Sequence, residues 1–316
     1  MRPSPSLNWR CLPVAALALA GCVRSFALNA VADSLAGQGG GFATDDDPEL
    51  VRAAAPFGLK TTEALIGQLP ERGDLLVSAA SGFTQYGYAF VQQQADFDDS
   101  VSTEKAAPEY ARARKLYKRA VGYGLRALDV AHPGTSDKLR TAPAEALAAM
   151  TKADVPALYW TGAPWALRVV ISKNDASLIA DLGTVELLMK RALELDEPWA
   201  AGTIDEFFES FEAARPGVSA ESARATAAKF RDRALELAHG QKLGPWVTWA
   251  ESVDVSAQDR KEFDALTDKV LAFDIDSAPS YRLVNTLMQR RAKWLKSRAD
   301  ELFVAAGHPT PGLARK

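Results

Sequence analysis

The spacing of apolar residues constrains the fold of this 316-residue chain more than any other feature of its sequence. Apolar side chains recur every three or four residues along most of the chain, and few segments alternate with the two-residue period of a strand. Residues 223–237 and 263–273 each place such side chains on one helical face. Alanine is abundant, which favours helix formation and close packing between helices. The sequence therefore predicts an all-α fold.

Five predicted helices end in a shared signature, in which a small residue precedes leucine and a turn-forming residue follows six positions after the small one. The small residues are Ala64, Ala127, Ala192, Ala234 and Val270. The last two intervals between them, 42 and 36 positions, match the roughly 34–47 residues of one helix-hairpin repeat. The pattern favours stacked helix hairpins, that is, degenerate tetratricopeptide-like repeats. An irregular helical bundle is the alternative.

The N-terminus has the organisation of a bacterial lipoprotein signal. Arg2 and Arg10 precede a ten-residue apolar run that is too short to span a membrane. The run ends in Leu-Ala-Gly-Cys at 19–22, which resembles a lipobox with Cys22 as the acylated residue. A plain signal peptide cut after 18–20 is the alternative. Val23 rather than aspartate follows the cysteine, and this favours an anchor in the outer membrane.

The domain boundaries follow from these signals. Residues 1–21 are predicted to be the signal peptide, and residues 22–48 a lipidated tether with a short helix. Residues 49–305 form the predicted helical domain, and the Pro/Gly-containing residues 306–316 a flexible tail.

The charged and nucleophilic residues do not indicate an enzyme. The net charge of -3 argues against nucleic-acid binding, and the three histidines lie far apart in sequence. We find no catalytic fingerprint, and we expect no cofactor and no metal. The three aspartates at 45–47 precede Pro48 and predict a helix cap. The acidic run Asp205, Glu206, Glu209 and Glu212 predicts a solvated helix face.

Two aromatic clusters are the strongest candidates for a binding site. Tyr86 and Tyr88 lie in the glycine-containing segment 82–90, and Trp160 and Trp165 lie in segment 158–165 with Gly and Pro. Gly and Pro cost about 1 and 3 kcal/mol in a regular helix interior, so they are tolerated where helices pack closely, kink or line a cavity. The four aromatic residues are predicted either to line an apolar ligand channel or to fill the core of the repeats.

Six segments occur in the order found in a known family. They are LAGC (19–22), DDDPELVRAAAPFGLKTTEAL (45–65), GFTQYGYAFVQQQAD (82–96), ALYWTGAPWA (157–166), LMKRALELDEPW (188–199) and RRAKWLKSRADELF (290–303). With these segments the chain resembles the T component of tetratricopeptide-associated TRAP transporters, a family of bacterial lipoproteins.

The resemblance implies a non-catalytic periplasmic accessory subunit. It implies a homotrimer with a pore through each subunit, and association with a substrate-binding P component that feeds membrane subunits. It also implies an apolar ligand. The alternative function is a tetratricopeptide-like scaffold or assembly lipoprotein of the cell envelope.

Overall fold

The computed structural model describes residues 39–172 and 174–304, and within these ranges the chain is helical without a strand. This confirms the all-α fold, while the repeat character stays a prediction. The helices are α1 (Gly39–Ala43), α2 (Pro48–Gln68), α3 (Gly73–Tyr86), α4 (Gln93–Asp99), α5 (Thr103–Ala131), α6 (Thr135–Thr141), α7 (Pro143–Ala148), α8 (Val155–Val170), α9 (Ala176–Ala180), α10 (Leu182–Asp196), α11 (Thr203–Ala213), α12 (Ala220–Leu237), α13 (Gly244–Thr248), α14 (Val255–Ala257), α15 (Arg260–Ala272), α16 (Arg282–Ser297) and α17 (Ala299–Leu302).

The predicted signal peptide, Cys22, most of the tether and the C-terminal tail lie outside the described residues. Of the tether, the structure describes α1 and the turn that leads into α2.

Local sequence signals set the helix starts. The Asp47 carboxylate accepts hydrogen bonds from the backbone N–H groups of Glu49 and Leu50, each at 3.0 Å. Pro48 occupies the first position of α2, where its missing N–H costs no helical hydrogen bond. The predicted cap at 45–47 is therefore confirmed.

Successive long helices pack side by side. Helix α3 packs on α5, α5 on α8, α8 on α10, and α11 on α12. The small residues of the repeated signature are buried at four of the five positions, Ala127, Ala192, Ala234 and Val270. Ala64 is exposed, because α2 buries the side chains of Leu65 and Ile66 instead.

Helix α8 runs unbroken through Gly162 and Pro164. A Cβ atom on Gly162 would lie 2.6 Å from the sulfur of Met189 on α10, so the glycine permits close helix contact. Where α8 contacts α5, a Cβ atom on Gly124 of α5 would lie 3.0 Å from the Cα atom of Thr161 on α8. Helix α8 is thus held tightly between α5 and α10.

Two π-helical segments interrupt the regular helices. Gly87–Gln92 joins α3 to α4, and Trp249–Asp254 joins α13 to α14. A π-helical turn inserts an extra residue into the helix and re-aims the side chains beyond it, and such turns are frequent at functional sites. The first segment packs on α5, where Tyr117 leaves room for Gly87 but not for a Cβ atom without adjustment.

Candidate functional site

One large cavity lies between the N-terminal helices and α16. Its volume is about 680 Å³, which lies within the roughly 300–1,000 Å³ of small-molecule sites. The wall is formed by α1, α2, α3, the first π-helical segment, the start of α4, α8, the turn before α11, the start of α11, the loop before α13, the start of α13, the turn before α16, and α16. Its apolar lining residues are Phe42, Ala43, Val51, Ala55, Leu59, Ala89, Phe90, Ala200, Ala201, Leu283, Val284, Leu287 and Met288.

Three of the four aromatic residues singled out in the sequence line this cavity. They are Tyr86, at the end of α3, Tyr88, in the π-helical segment, and Trp160, on α8. The Trp160 ring packs edge-on against Tyr159 at 4.9 Å between centroids. The structure thus brings the two sequence clusters to one cavity, and their role as a ligand channel stays a prediction.

Trp165 lies away from these residues and is not part of the cavity wall. Its indole N–H donates to the Asp181 carboxylate at 3.0 Å, and its ring packs against the core formed with α10. Trp165 follows Trp160 by about 1.4 helical turns, so its side chain points in a different direction around α8.

One buried ion pair provides the charged groups of the wall. Among the described residues that line the cavity, Lys242 and Glu206 are the charged ones. Lys242 is 8% exposed, and its ammonium donates to Glu206 Oε1 at 2.9 Å, to Thr203 Oγ1 at 2.7 Å and to the Ala200 carbonyl at 2.8 Å. These contacts occupy all three donors of the ammonium.

The carbonyl that Lys242 holds belongs to a strained turn. Ala200, Ala201 and Gly202 all have left-handed backbone conformations, with φ of 50°, 53° and 77°. For alanine this conformation costs about 1–2 kcal/mol per residue. The ammonium and the Thr203 hydroxyl, which donates to the Ala200 carbonyl at 2.7 Å, offset part of that cost.

Several uncharged polar groups of the wall have no partner among the described residues. The amide of Gln93, a residue that is 1% exposed, makes no hydrogen bond through either its oxygen or its nitrogen. Neither the Tyr88 hydroxyl nor the Trp160 indole N–H has a protein partner there. Burial raises the pKa of Tyr88, so its phenol stays protonated and can donate.

A sequence profile of the TRAP transporter T-component family matches residues 44–303. The chain belongs to this family. The matched region contains every wall element of the cavity except α1. An uncharacterized protein of Treponema pallidum (strain Nichols) is 30% identical over 270 residues, which cover 83% of this chain and 82% of the relative. The T-component resemblance read from the sequence is therefore confirmed, and with it an accessory role in TRAP transport.

The acidic run of this T component is not a solvated face, and that prediction was wrong. Asp205 is 1% exposed, Glu209 is 0% exposed and Glu212 is 8% exposed. Helix α11 packs against α12 and contacts α13 with its π-helical continuation, and its carboxylates are buried together with Phe208. The spacing of residues within α11 does not indicate that these carboxylates are buried.

Two of these carboxyl groups are buried without hydrogen-bond partners among the described residues, those of Asp205 and Glu209. Burial raises the pKa of Asp205 to about 7. Burial also raises the pKa of Glu209 well above its usual range. The other two are paired, Glu206 with Lys242 and Glu212 with Arg215.

A buried ion network supports the π-helical segments behind the cavity. The guanidinium of Arg291 on α16 donates to Asp96 on α4 at 2.6 Å and to Glu251 in the second π-helical segment at 3.0 Å. The Tyr110 hydroxyl donates to the other oxygen of Asp96 at 2.8 Å. These bonds link α4, α5, α16 and the second π-helical segment.

The Lys242–Glu206 pair and Gln93 were missed by sequence reasoning. Glu206 was hidden within the acidic run, Lys242 lies in a short loop without a motif, and Gln93 lies in a run of glutamines. In the described ranges, no group of His, Cys, Asp and Glu is arranged to hold a metal ion. Across those same ranges, no helix combines the length and apolarity needed to cross a membrane.

Proposed function

We propose that this T component is a non-catalytic lipoprotein that holds a ligand with an apolar chain in the cavity and exchanges it with the P component of a TRAP transporter. The cavity itself carries the proposal. It is large enough for a small amphiphile, and its wall is mostly apolar, from Phe42 on α1 to Met288 on α16. Burial of an apolar chain there would contribute roughly 25 cal/mol per Å² of apolar surface.

The location and assembly form part of the same proposal. Acyl chains on Cys22 would anchor the protein in the cell envelope, in the outer membrane, with the helical domain in the periplasm. Three copies would associate, and a P component would dock near the cavity to exchange ligand. These parts are supported by the LAGC motif at 19–22 and by the family resemblance.

The test is a substitution that places a large side chain in the cavity from a position where an added Cβ atom meets no neighbour. Gly58 on α2 lines the cavity, and a Cβ atom on it would meet no neighbour within 4 Å. Gly67 on the same helix has equal space but lies outside the cavity wall. Gly58→Trp and Gly67→Trp are therefore a matched pair of substitutions.

The full chain and both variants would be purified from bacterial cells, and apolar compounds that co-purify would be quantified by mass spectrometry. We expect a bound compound in the wild type and in Gly67→Trp, and about tenfold less in Gly58→Trp, a change of ~1.4 kcal/mol. Equal amounts in all three, or none in any, would contradict ligand storage in the cavity and leave the envelope scaffold as the better proposal.

Association with the P component needs a separate measurement. The full chain and the P component encoded in the same genome would be mixed and analysed by native mass spectrometry. A complex is expected. Capture of a cell-wall enzyme in its place would favour the scaffold function.

A further inference from the structure

We propose that the cavity selects an uncharged amphiphile, with an apolar chain and a terminal hydroxyl, amide or protonated acid group, over the ionised carboxylate of the same chain length. This inference rests on the proposed ligand-binding function and specifies its substrate class. It follows from which polar groups of the wall already have a partner: the charged groups are paired with each other, and a neutral amide is unpaired.

The wall offers no available positive charge to an anion. Among its described residues the cation is Lys242, and its ammonium lies 2.9 Å from the Glu206 carboxylate. The two charges compensate each other, and the remaining ammonium donors are bound to Thr203 and to the Ala200 carbonyl. A second carboxylate at this position would be repelled by Glu206 and would find no donor on Lys242.

Lys242 is also poorly placed to change partners. Its bond to the Ala200 carbonyl holds the left-handed turn at 200–202. Moving the ammonium towards a ligand would leave that carbonyl and the Glu206 carboxylate without their cation. An ionised carboxylate would therefore lose its hydration on entry without gaining a cation, and burial of an unpaired charge is strongly unfavourable.

The available polar groups are neutral and suit a neutral head group. The Gln93 amide has both its donors and its acceptor unpaired among the described residues. The Tyr88 hydroxyl, five residues earlier in the same continuous helix, adds a further group able to donate and accept. A hydroxyl, amide or protonated acid can satisfy such groups without bringing a charge into the cavity.

The first measurement compares two probes on the wild-type chain. Dodecan-1-ol and dodecanoate have the same chain length, and dodecanoate is ionised at about pH 8. The full chain carrying Cys22→Ala, which avoids the detergent that an acyl anchor requires, is titrated with each probe by calorimetry at that pH. We expect dodecan-1-ol to bind at least about tenfold more tightly. Equal or tighter binding of dodecanoate would overturn the inference while supporting the proposed ligand-binding function.

The second measurement frees the positive charge. Glu206→Gln keeps the size of the side chain and an oxygen for Lys242, but it removes the compensating negative charge. We expect dodecanoate affinity to rise by about tenfold or more and dodecan-1-ol affinity to change by less than about threefold. Unchanged dodecanoate affinity in a folded Glu206→Gln protein would overturn the proposed role of the pair.

Two controls locate the effect. Glu212→Gln removes a paired carboxylate from the same helix, α11, but Glu212 pairs with Arg215 and does not line the cavity, so no change of preference is expected. Gly58→Trp should weaken both probes in parallel. Failure of both probes to bind the wild type would contradict the proposed ligand-binding function, whereas tighter binding of dodecanoate would overturn the preference alone.

A third measurement removes the unpaired amide of Gln93. Gln93→Leu replaces the unpaired amide with an apolar side chain of similar size. We expect dodecan-1-ol to bind about tenfold more weakly, and thermal unfolding to show that the protein remains folded. Undiminished dodecan-1-ol affinity in the folded variant would contradict a role for Gln93 in binding the head group.

Discussion

At the scale of single residues, Glu209 illustrates how much the environment of a side chain decides its chemistry. Its carboxyl group is fully buried on α11 and has no hydrogen-bond partner among the described residues. Burial raises the pKa of Glu209 well above its usual range. A buried polar group without a partner costs about 1–3 kcal/mol.

We therefore expect Glu209→Met to stabilise the protein at about pH 8 by roughly 1–3 kcal/mol, because methionine has a similar volume and no group that requires a partner. Urea unfolding followed by circular dichroism measures the change. Glu209→Gln is the control, since it removes the ionisable group but keeps an unpaired polar end. A less stable Glu209→Met protein would show that this carboxyl has an unrecognised partner.

The pH dependence of stability follows from Asp205. Burial raises the pKa of Asp205 to about 7 in the folded state, against about 4 in an unfolded chain. The folded state therefore holds the proton more tightly, and this contribution to stability is complete below about pH 4 and is lost as the pH rises through about 7.

We expect the contribution of Asp205 to the free energy of unfolding to decrease between about pH 4 and 7, so that the stability of Asp205→Asn relative to the wild type rises over this range. Urea unfolding across this range provides the measurement. An equal pH dependence in the wild type and Asp205→Asn would contradict the raised pKa of Asp205.

The two tryptophans of α8 should respond differently to truncation. Both are partly buried against the same core, but Trp160 lines the cavity, whereas Trp165 lies outside its wall and donates to Asp181. We expect Trp160→Ala to reduce the amount of co-purifying ligand. Trp165→Ala should leave ligand content unchanged but lower stability by up to about 3 kcal/mol. The same ligand content in Trp160→Ala and the wild type would assign Trp160 to a packing role.

At the scale of helices, close contacts depend on glycines that the local sequence does not distinguish. Gly124 and Gly122 both lie on α5, but a Cβ on Gly124 would meet the backbone of Thr161 on α8. A Cβ on Gly122 would meet nothing within 4 Å. The two positions differ in helix packing alone.

We expect Gly124→Ala to destabilise the protein by about 1–3 kcal/mol through overpacking. Gly122→Ala should be stabilising by up to about 1 kcal/mol, because alanine favours the helix. Thermal unfolding of both variants gives the comparison. Equal stabilisation by the two substitutions would mean that α5 and α8 are not in close contact at Gly124.

At the scale of the whole molecule, membrane attachment and ligand binding are separate properties. The predicted anchor is Cys22, while the cavity is built from α1 to α16. We expect Cys22→Ala to remove the protein from the membrane fraction without changing the ligand content of the helical domain. Cell fractionation with mass spectrometry of the purified protein checks both. An acylated Cys22→Ala protein in the membrane fraction would contradict the lipobox interpretation.

The sequence alone determined the helical class, the cap at Asp47 and the family. The first two depend on residues close together along the chain, and the family depends on the order of short segments. The spacing of apolar side chains within a segment predicts that the segment is an α-helix. The carboxylate of Asp47, before Pro48, accepts hydrogen bonds from the N–H groups of the next residues. The segments from 45 to 303 also sufficed to identify the T-component family.

Only the tertiary structure decided what surrounds each helix. The spacing of residues in α11 predicts a polar face, but it does not indicate that Asp205, Glu209 and Glu212 are buried where α11 packs with its neighbours. The same limit applies to the cavity, which joins Tyr88 to Leu287 and to the Lys242–Glu206 pair across long stretches of chain. Burial, pKa and access to a ligand are properties of contacts between distant segments, so they follow from the packing of the helices and not from the pattern within any one of them.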